Sequence, residues 1–509
     1  MRISDLKLMT GAPVYWNITL PPPKLIALSE RFLTKAVIDS PLKGAALHLG
    51  AETSQSDLMQ SSRTLAAARL APGLMIALAL ASGAVAQSPE RQKQMQDLAL
   101  FRREVFEPSR AYSPSARITA EQRLAKLESR VGHLSGAALA VEICRITALA
   151  DNLHSSCFFS RKAGAPLGFT VLSDRFFVTL ADPSNADLLG GELIAIDGHG
   201  LHTLRTAGRS LTGGPAAHRD LTFSTVLNRV DLLNALGVAE TPQSARYRIR
   251  LPNDRIVERF LAVKAREADW PSLPPADRIP WALQDRAAIY RWRDAPELDA
   301  VVVQLRGNVD RPERKLHDFL TDAEANRKRL GRTNVVLDMR WDTGGNFLLN
   351  RDFMRAWPSA LPAPGRFFVL TGPATVSAGI ASIAYLKQAG GDRVVLVGEP
   401  VGDRLMFFSE GDFKELSYAG VMLLPSTERY DFRSGCRSYS DCFTSIAQPG
   451  GPTATPRAVA AEFDRTYGRA PLDITNLDPN VPAPWTIRDY LDGQDPGMKA
   501  IADLVQRAK

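Results

Sequence analysis

Ser377 stands where an apolar strand gives way to a helix, in the stretch TGPATVSAGIASIA (371–384). Ala378, Gly379 and Ala381 follow it and are small, so backbone amides at the start of the helix could approach a ligand closely. A serine there lies in the positive field of the helix N-terminus, where a neighbouring N–H can stabilise an oxyanion. The hydroxyl could equally cap the helix, which is the commonest use of such a residue. The stretch by itself leaves nucleophile and cap open.

A second turn, upstream in VVLDMRWDTGGN (335–346), could supply donors to an oxyanion. A core strand ends there, and Gly344 and Gly345 follow it, two residues that are free to adopt positive φ. Such a turn can aim an amide N–H at a bound carbonyl. It can also be no more than a tight connection from strand to helix.

A serine nucleophile needs a group that takes its proton. Four of the seven histidines fall where a base is not expected, namely His48, His199, His202 and His317. His133, His154 and His218 remain open, and His154 lies just after a predicted buried helix and between Cys144 and Cys157. Histidine titrates close to neutral pH, which suits abstraction of a hydroxyl proton. A histidine at the end of a helix can instead cap its carboxyl end.

Three motifs, in this order along the chain, resemble the catalytic domain of the tail-specific, or C-terminal processing, serine proteases and their tricorn-core relatives. They are VVLDMRWDTGG, FFVLTGPATVSAG and VVLVGEP. The resemblance covers residues from about 130 to 505 and includes the ending DPNVPAPWTIRDYLDGQDPGMKAI. It implies an α/β fold with a crotonase-like (ClpP/crotonase-type) layered catalytic domain, an N-terminal helical domain and a PDZ-like α+β module. It also implies that Ser377 is the nucleophile and that N–H groups of Gly345 (or Gly344) and Ala378 form the oxyanion hole.

The sequence departs from this family at the base. Processing peptidases carry a lysine in T-x-G-K-G, but the position 25 residues after Ser377 is Gly402, in GEPVGDRLMFF. Arg404 stays protonated and cannot act as a base. Lys387 lies ten residues along the same helix, about 15 Å away, and Lys414 would need a loop to bring it back. A Ser–Lys dyad is therefore disfavoured.

His154 instead resembles the D-x-H-[ST] segment of tricorn-like members, whose catalytic histidine comes from the N-terminal region. A third group should orient that histidine. Ser155, Glu399 and Glu410 are candidates, and Glu410 in FFSEG is preferred because it precedes LLPST, which is similar to the family's L-P-x-S segment. Each acid could also belong to a structural ion pair.

Residues 63–90 have the order of a secretory signal peptide. Arg63 and Arg69 are followed by the apolar run 70–81 and by the small-x-small site Ala84-Val85-Ala86. An apolar run of about 12 residues is too short to span a bilayer, so a buried helix is the alternative. Met59 would open a signal peptide of normal form, which predicts a mature chain that begins near Gln87 and is periplasmic or secreted.

The four cysteines form two pairs close in sequence, Cys144 with Cys157 and Cys436 with Cys442. In an oxidising compartment these pairs are the natural disulfides among three possible connectivities. A four-cysteine zinc site is the rival, but no C-x2-C spacing is present. The sequence also has no H-E-x-x-H motif and no Walker loop, so neither a metal nor another cofactor is expected.

The chain has 509 residues and a net charge of +7 spread along its length. It has no basic stripe interleaved with aromatic residues, so nucleic acid is not an expected partner. The expected partner is a peptide or unfolded protein substrate, with membrane contact only through the signal peptide and the oligomeric state left open. The expected divisions are a non-native upstream extension or disordered segment (1–58), the signal peptide (59–86), the helical domain (87–167), the PDZ-like module (168–265), a connector (266–297) and the catalytic α/β domain (298–509).

Two functions compete at this point. The first is an exported serine endopeptidase that hydrolyses peptide bonds in unstructured peptides or protein C-termini, with the PDZ-like module positioning the substrate. The second is a catalytically inactive periplasmic protein that binds a ligand or peptide on the same fold, which the missing lysine favours.

Overall fold

The computed structural model describes residues 88–160, 162–433 and 474–507. The predicted extension (1–58), the predicted signal peptide (59–86) and the pair Cys436–Cys442 lie outside the described residues. Within the described ranges, no helix combines the length and the apolar character that a membrane span requires.

The first described residues form three helices, α1 (Pro89–Leu100), α2 (Pro114–Glu128) and α3 (Gly136–Thr147), and α1 continues into a π-helical segment at Phe101–Phe106. A serine hydroxyl caps the start of each α-helix, which satisfies an N–H group that has no partner within the helix. Helix α3 is apolar and mostly buried, as predicted. After it come a short turn that carries His154 and the strand β1 (Phe158–Phe159).

The second region is an antiparallel sheet with three helices. Its strands are β2 (Leu167–Leu172), β3 (Arg175–Ala181), β4 (Glu192–Ile196), β5 (His199–Gly200), β6 (Ser244–Arg250) and β7 (Ile256–Ala262). Its helices are α4 (Leu201–Arg209), α5 (Ala216–Ser224) and α6 (Val230–Ala235). The order is β2-β3-β4-β6-β7, with β5 paired to β4. We call this region the antiparallel module; it shares one hydrophobic core with the N-terminal helices.

The third region is built on a mostly parallel sheet of order β17-β12-β11-β10-β9-β8. Its strands are β8 (Tyr290–Ala295), β9 (Ala300–Leu305), β10 (Asn334–Asp338), β11 (Phe367–Thr371), β12 (Val394–Gly398) and β17 (Val481–Pro482). Only β8 runs antiparallel to its neighbour in this sheet. Strand β8 lies inside the segment that the sequence predicted as a connector, so that segment contains part of the sheet.

Helices cover both faces of this sheet. One face packs on α7 (Leu316–Arg329), α8 (Arg351–Ala356) and α9 (Ala378–Gly390), and the other packs on α11 (Pro496–Arg507), which follows the short α10 (Ile487–Asp492). Burial on both faces explains why β9 and β11 are continuous apolar runs with every residue buried. Because the strands are parallel, the turns after β10, β11 and β12 leave the sheet at the same edge.

The segment after α9 contributes to two small antiparallel sheets, one of which also contains β1. Strands β14 (Lys414–Leu416) and β15 (Val421–Leu423) join β1, while β13 (Met406–Ser409) pairs with β16 (Glu428–Asp431). Strand β1 begins four residues after His154. This pairing therefore brings the His154 turn towards the edge of the parallel sheet that carries Ser377.

Candidate active site

Ser377 lies between β11 and α9 in a backbone conformation that is rare for any residue other than glycine. Its φ is +56° and its ψ is −126°, and its hydroxyl makes no capping hydrogen bond to the helix. Such a conformation costs on the order of 1–3 kcal/mol and persists only where the surroundings impose it. The side chain is partly exposed, whereas its neighbours Val376 and Ala378 are buried. The structure therefore removes the cap interpretation and leaves Ser377 partly accessible.

The predicted Gly-Gly turn lies directly against this serine. Gly344 has φ +98°, and a Cβ added to it would come within 2.5 Å of Ser377 Cβ and 2.9 Å of Ser377 Oγ. Gly344 donates its N–H to the carboxyl group of Asp342 at 2.9 Å, so this group is already engaged. The N–H groups of Gly345 and Ala378 have no acceptor among the described residues. Of the predicted oxyanion donors, those two are the ones left available.

Asp342 is a buried residue that contacts both the Gly-Gly turn and the turn that carries Ser377. Its backbone carbonyl accepts from the Val376 N–H at 3.0 Å, and its carboxyl group faces Gly379, where a Cβ would lie 3.2 Å from Asp342 Cγ. The side chain is fully buried, and this burial raises the pKa of the Asp342 carboxyl to about 7, with the hydrogen bond from Gly344 acting in the opposite direction. Asp342 thus fixes the Gly-Gly turn relative to the serine.

His154 lies in the 3-10 turn Leu153–Ser155, and both of its ring nitrogens face polar groups. Its Nε2 is 3.2 Å from Asp403 Oδ2, and its Nδ1 is 3.4 Å from the Ser409 hydroxyl. The ring stacks on Phe407 with 4.8 Å between centroids. The predicted disulfide Cys144–Cys157 is confirmed, and it closes the loop that carries His154. The histidine is therefore held in a defined orientation beside a buried carboxylate.

Asp403 was not among the acids predicted from the sequence. It follows Gly402, whose N–H donates to Thr375 O at 2.9 Å. A Cβ on Gly402 would fall 1.9 Å from Pro373 O, so the loop after β12 packs closely on the turn that leads to Ser377. Asp403 is only 2% exposed at its side chain. The close approach at Gly402 is what brings an acid from this loop to His154.

His218 is the second histidine at this place. It lies on α5 of the antiparallel module, is 1% exposed, and its Nδ1 is 3.0 Å from the carbonyl oxygen of Pro373. Burial lowers the pKa of the His218 ring to about 4, with the hydrogen bond to Pro373 and the charge of Asp403 raising it and His154 lowering it further. The sequence left His218 open as a base but did not place it beside His154.

Ser377 and His154 are not hydrogen-bonded to each other in this structure. Among the described residues, the Ser377 hydroxyl has no hydrogen-bond partner. Catalytic hydrogen bonds are often long before substrate binds and shorten only in the reacting complex. One chain of contacts between the two residues runs from His154 to Asp403 and, through the adjacent Gly402, to the turn that precedes Ser377.

The cations near this site have other partners. Arg404 donates to the backbone and side chain of Asp151 at 2.6 and 2.8 Å. Lys414 forms an ion pair with Glu104 at 3.1 Å, and Lys387 donates to Asn476 O at 3.4 Å. Each of these three cations therefore has a partner other than Ser377.

The predicted acids have distinct surroundings. Glu410 accepts a hydrogen bond from the Tyr430 hydroxyl at 2.9 Å, so its role in orienting His154 stays a prediction. The carboxyl group of Glu399 is largely buried, which raises its pKa to about 7, and the hydrogen bond from the Trp485 backbone lowers it. Ser155 donates to the Ser426 hydroxyl at 3.1 Å.

Glu428 is a further buried acid that was not predicted from the sequence. Glu428 is fully buried and is the cross-strand partner of Ser409, the residue whose hydroxyl faces His154. Directly opposed residues of an antiparallel pair project to the same face. Neither Glu428 nor Asp403 lies in a local motif that would have identified it.

No set of three or more possible metal ligands is grouped within the described parts of the chain. The groups gathered here are a serine, two histidines, a buried aspartate and available backbone N–H groups. That set can perform nucleophilic acyl transfer, in which a serine oxygen attacks a carbonyl and backbone amides stabilise the resulting oxyanion.

No family model and no curated protein sequence matches this chain. Among solved structures, mature CPAF matches with a TM-score of 0.48 at 12% identity and covers 82% of this chain and 97% of its own. The photosystem II D1 C-terminal processing protease matches with a TM-score of 0.33 at 14% identity, over 82% of this chain and 97% of its own. The tricorn protease matches with a TM-score of 0.34 at 14% identity, over 82% of this chain and 36% of its own. These three structures are what the chain is similar to, at identities of 12–14% and TM-scores below 0.5.

Proposed function

We propose that this protein is an exported serine endopeptidase of the tail-specific protease and tricorn-core type, which cleaves unstructured peptides or protein C-termini. The observation that carries the proposal is the geometry at Ser377. Its hydroxyl is uncapped and partly exposed, its backbone is held in a costly conformation, and it lies against a Gly-Gly turn with available N–H groups. An ordinary helix cap requires none of these features.

The proposed fold assignment follows from the same layout. A parallel sheet covered on both faces, with the serine at the start of a helix, supports a crotonase-like catalytic domain. The antiparallel module supports the PDZ-like assignment, and the three helices before it support a helical N-terminal domain.

In the proposed reaction, Ser377 Oγ attacks the substrate carbonyl carbon while its proton passes to His154. The carbonyl electrons move to oxygen, and the oxyanion accepts hydrogen bonds from the N–H groups of Gly345 and Ala378. His154 then gives its proton to the leaving amine as the C–N bond breaks. Water hydrolyses the resulting ester, again through His154, and restores the serine.

Asp403 is the acid that we assign to His154 in this reaction. In this assignment the proton is on Nε2, 3.2 Å from Asp403 Oδ2, and Nδ1 is the nitrogen that accepts. Nδ1 faces the Ser409 hydroxyl in this structure, so it must exchange Ser409 for Ser377 when substrate binds. A buried carboxylate beside the ring stabilises the imidazolium that forms. We therefore expect Asp403→Asn to lower kcat by roughly 10²–10⁴-fold.

The competing function is the inactive binding protein on the same fold. The absence of a hydrogen bond between Ser377 and His154 among the described residues is the observation that favours it. A fluorophosphonate probe separates the two functions. Labelling of Ser377 supports the enzyme, whereas lack of labelling, together with thermal stabilisation by a peptide, supports the binder.

The decisive experiment compares Ser377→Ala and His154→Ala with matched controls at exposed positions, Ser359→Ala and His133→Ala. Hydrolysis of a fluorescently labelled unfolded protein should be abolished in the first two variants and retained in the two controls. Retention of full activity in Ser377→Ala or His154→Ala would show that the assignment is wrong. N-terminal sequencing of the protein from the periplasm or medium tests export, with Gln87 as the expected first residue.

A further inference from the structure

We propose that His218, on helix α5 of the antiparallel module, is a positioning residue. It holds in place the turn between β11 and α9 (372–377), which we call the serine turn. The inference rests on the proposed function, since it assigns a role within the same site. It differs from the base assignment: His218 acts through the backbone of the turn and does not take the proton of Ser377.

The contact itself is a hydrogen bond between a buried ring and a backbone carbonyl. His218 Nδ1 lies 3.0 Å from Pro373 O, four residues before Ser377. A carbonyl oxygen can only accept, so Nδ1 must carry the proton. Burial keeps the ring neutral near pH 7, in keeping with a lowered pKa of about 4. A neutral ring with a fixed Nδ1–H is a donor whose direction does not change across the working pH range.

The helix that carries His218 is itself anchored at the site. Asp220 on α5 accepts two hydrogen bonds from Arg209, at 2.7 and 2.6 Å. Gly213, before α5, packs so closely on the His154 turn that a Cβ would lie 2.4 Å from Asn152 N. Helix α5 is therefore fixed to the segment that carries the base, and His218 reaches from that helix to the serine turn.

The serine turn meets two other elements at the same point. Gly402 packs against Pro373 O, and the adjacent Asp403 faces His154. His218 is therefore hydrogen-bonded to Pro373 O, and the loop that carries Asp403, the proposed catalytic acid, packs against the same oxygen. Loss of the His218 donor would free this carbonyl and shift both the turn and the acid. A misplacement of about 1 Å in a catalytic constellation can cost on the order of 10²-fold in rate.

A matched pair of amide variants tests this role in the full chain. The amide nitrogen of asparagine takes the place of His Nδ1, whereas that of glutamine takes the place of Nε2. We expect His218→Asn to keep kcat within about 5-fold of the wild-type value, and His218→Gln to lose roughly 10²-fold in kcat with little change in KM. Both variants should be checked by thermal unfolding, and the acid limb of the pH–rate profile should be unchanged in His218→Asn because His154 remains the base.

Two results would overturn the inference. Equal activity of the asparagine and glutamine variants would show that the bond to Pro373 does not matter. Inactivity of His218→Asn to the level of His154→Ala, with its fold intact, would mean that His218 takes part in proton transfer itself. Failure of the proposed function is a separate outcome, since it appears as activity in Ser377→Ala or His154→Ala whatever the His218 variants do.

Discussion

Gly344→Ala is the sharpest test of the site because the structure separates its two effects. The first is backbone strain, since Gly344 has φ +98° and an L-residue with positive φ costs about 1–2 kcal/mol. The second is a collision with the serine: the new Cβ would lie 2.5 Å from Ser377 Cβ and 3.2 Å from Ala378 N. Relief of that collision requires the serine or the Gly-Gly turn to move, and overpacking of this kind costs roughly 1–3 kcal/mol more.

The matched control is Gly331→Ala. Gly331 also has positive φ, +70°, but a Cβ there meets nothing within 4 Å. The control should lose about 1–2 kcal/mol of unfolding free energy and keep its activity. Gly344→Ala should lose about 2–5 kcal/mol of unfolding free energy. Its kcat/KM should also fall by about 10²-fold or more, because a shift of the serine by about 1 Å lowers the rate by that factor.

The assay combines urea unfolding, hydrolysis of a labelled unfolded protein and the rate of fluorophosphonate labelling at Ser377. The labelling rate isolates the state of the nucleophile from substrate binding. The reasoning is refuted if Gly344→Ala remains as active and as readily labelled as Gly331→Ala, because the turn would then have no part in placing the serine.

Three more predictions use the same assays. Burial raises the pKa of Asp342 to about 7, so the folded state binds more protons than the unfolded state between about pH 4 and 7, and the free energy of unfolding falls as pH rises through this window. Asp342→Asn should flatten this decline when it is measured by thermal unfolding. An unchanged slope would contradict the prediction. Replacement of Cys144 and Cys157 by alanine should lower the free energy of unfolding by about 3 kcal/mol. It should also slow hydrolysis, because the His154 turn loses a constraint. Equal stability with and without this disulfide would contradict the prediction. Lys387→Met and Lys414→Met should each retain activity, and a loss at either lysine with the fold intact would revive a Ser–Lys dyad.

The alternation of apolar strands and helices after residue 298 was predictable because it is a local property. Strands buried on both faces must be continuously apolar, as β9 and β11 are, and the intervening helices show their own periodicity. Strand β8 was missed because it sits at an open edge of the sheet and is only partly buried, so YRWRDA lacks that signature. Helices α4 and α5 were missed because they are short and polar and depend on tertiary packing.

The sequence by itself determined that Ser377 and the Gly-Gly turn would lie side by side. Gly344-Gly345 follow β10 and Ser377 follows β11, and turns after neighbouring parallel strands leave the sheet at the same edge, so their proximity follows from local pattern and topology. Only the tertiary structure decided what surrounds His154. Asp403, Ser409 and His218 come from three separate loops or elements, and their positions depend on close backbone packing such as that of Gly402 on Pro373. Such contacts join residues far apart in the chain, and no local spacing encodes them.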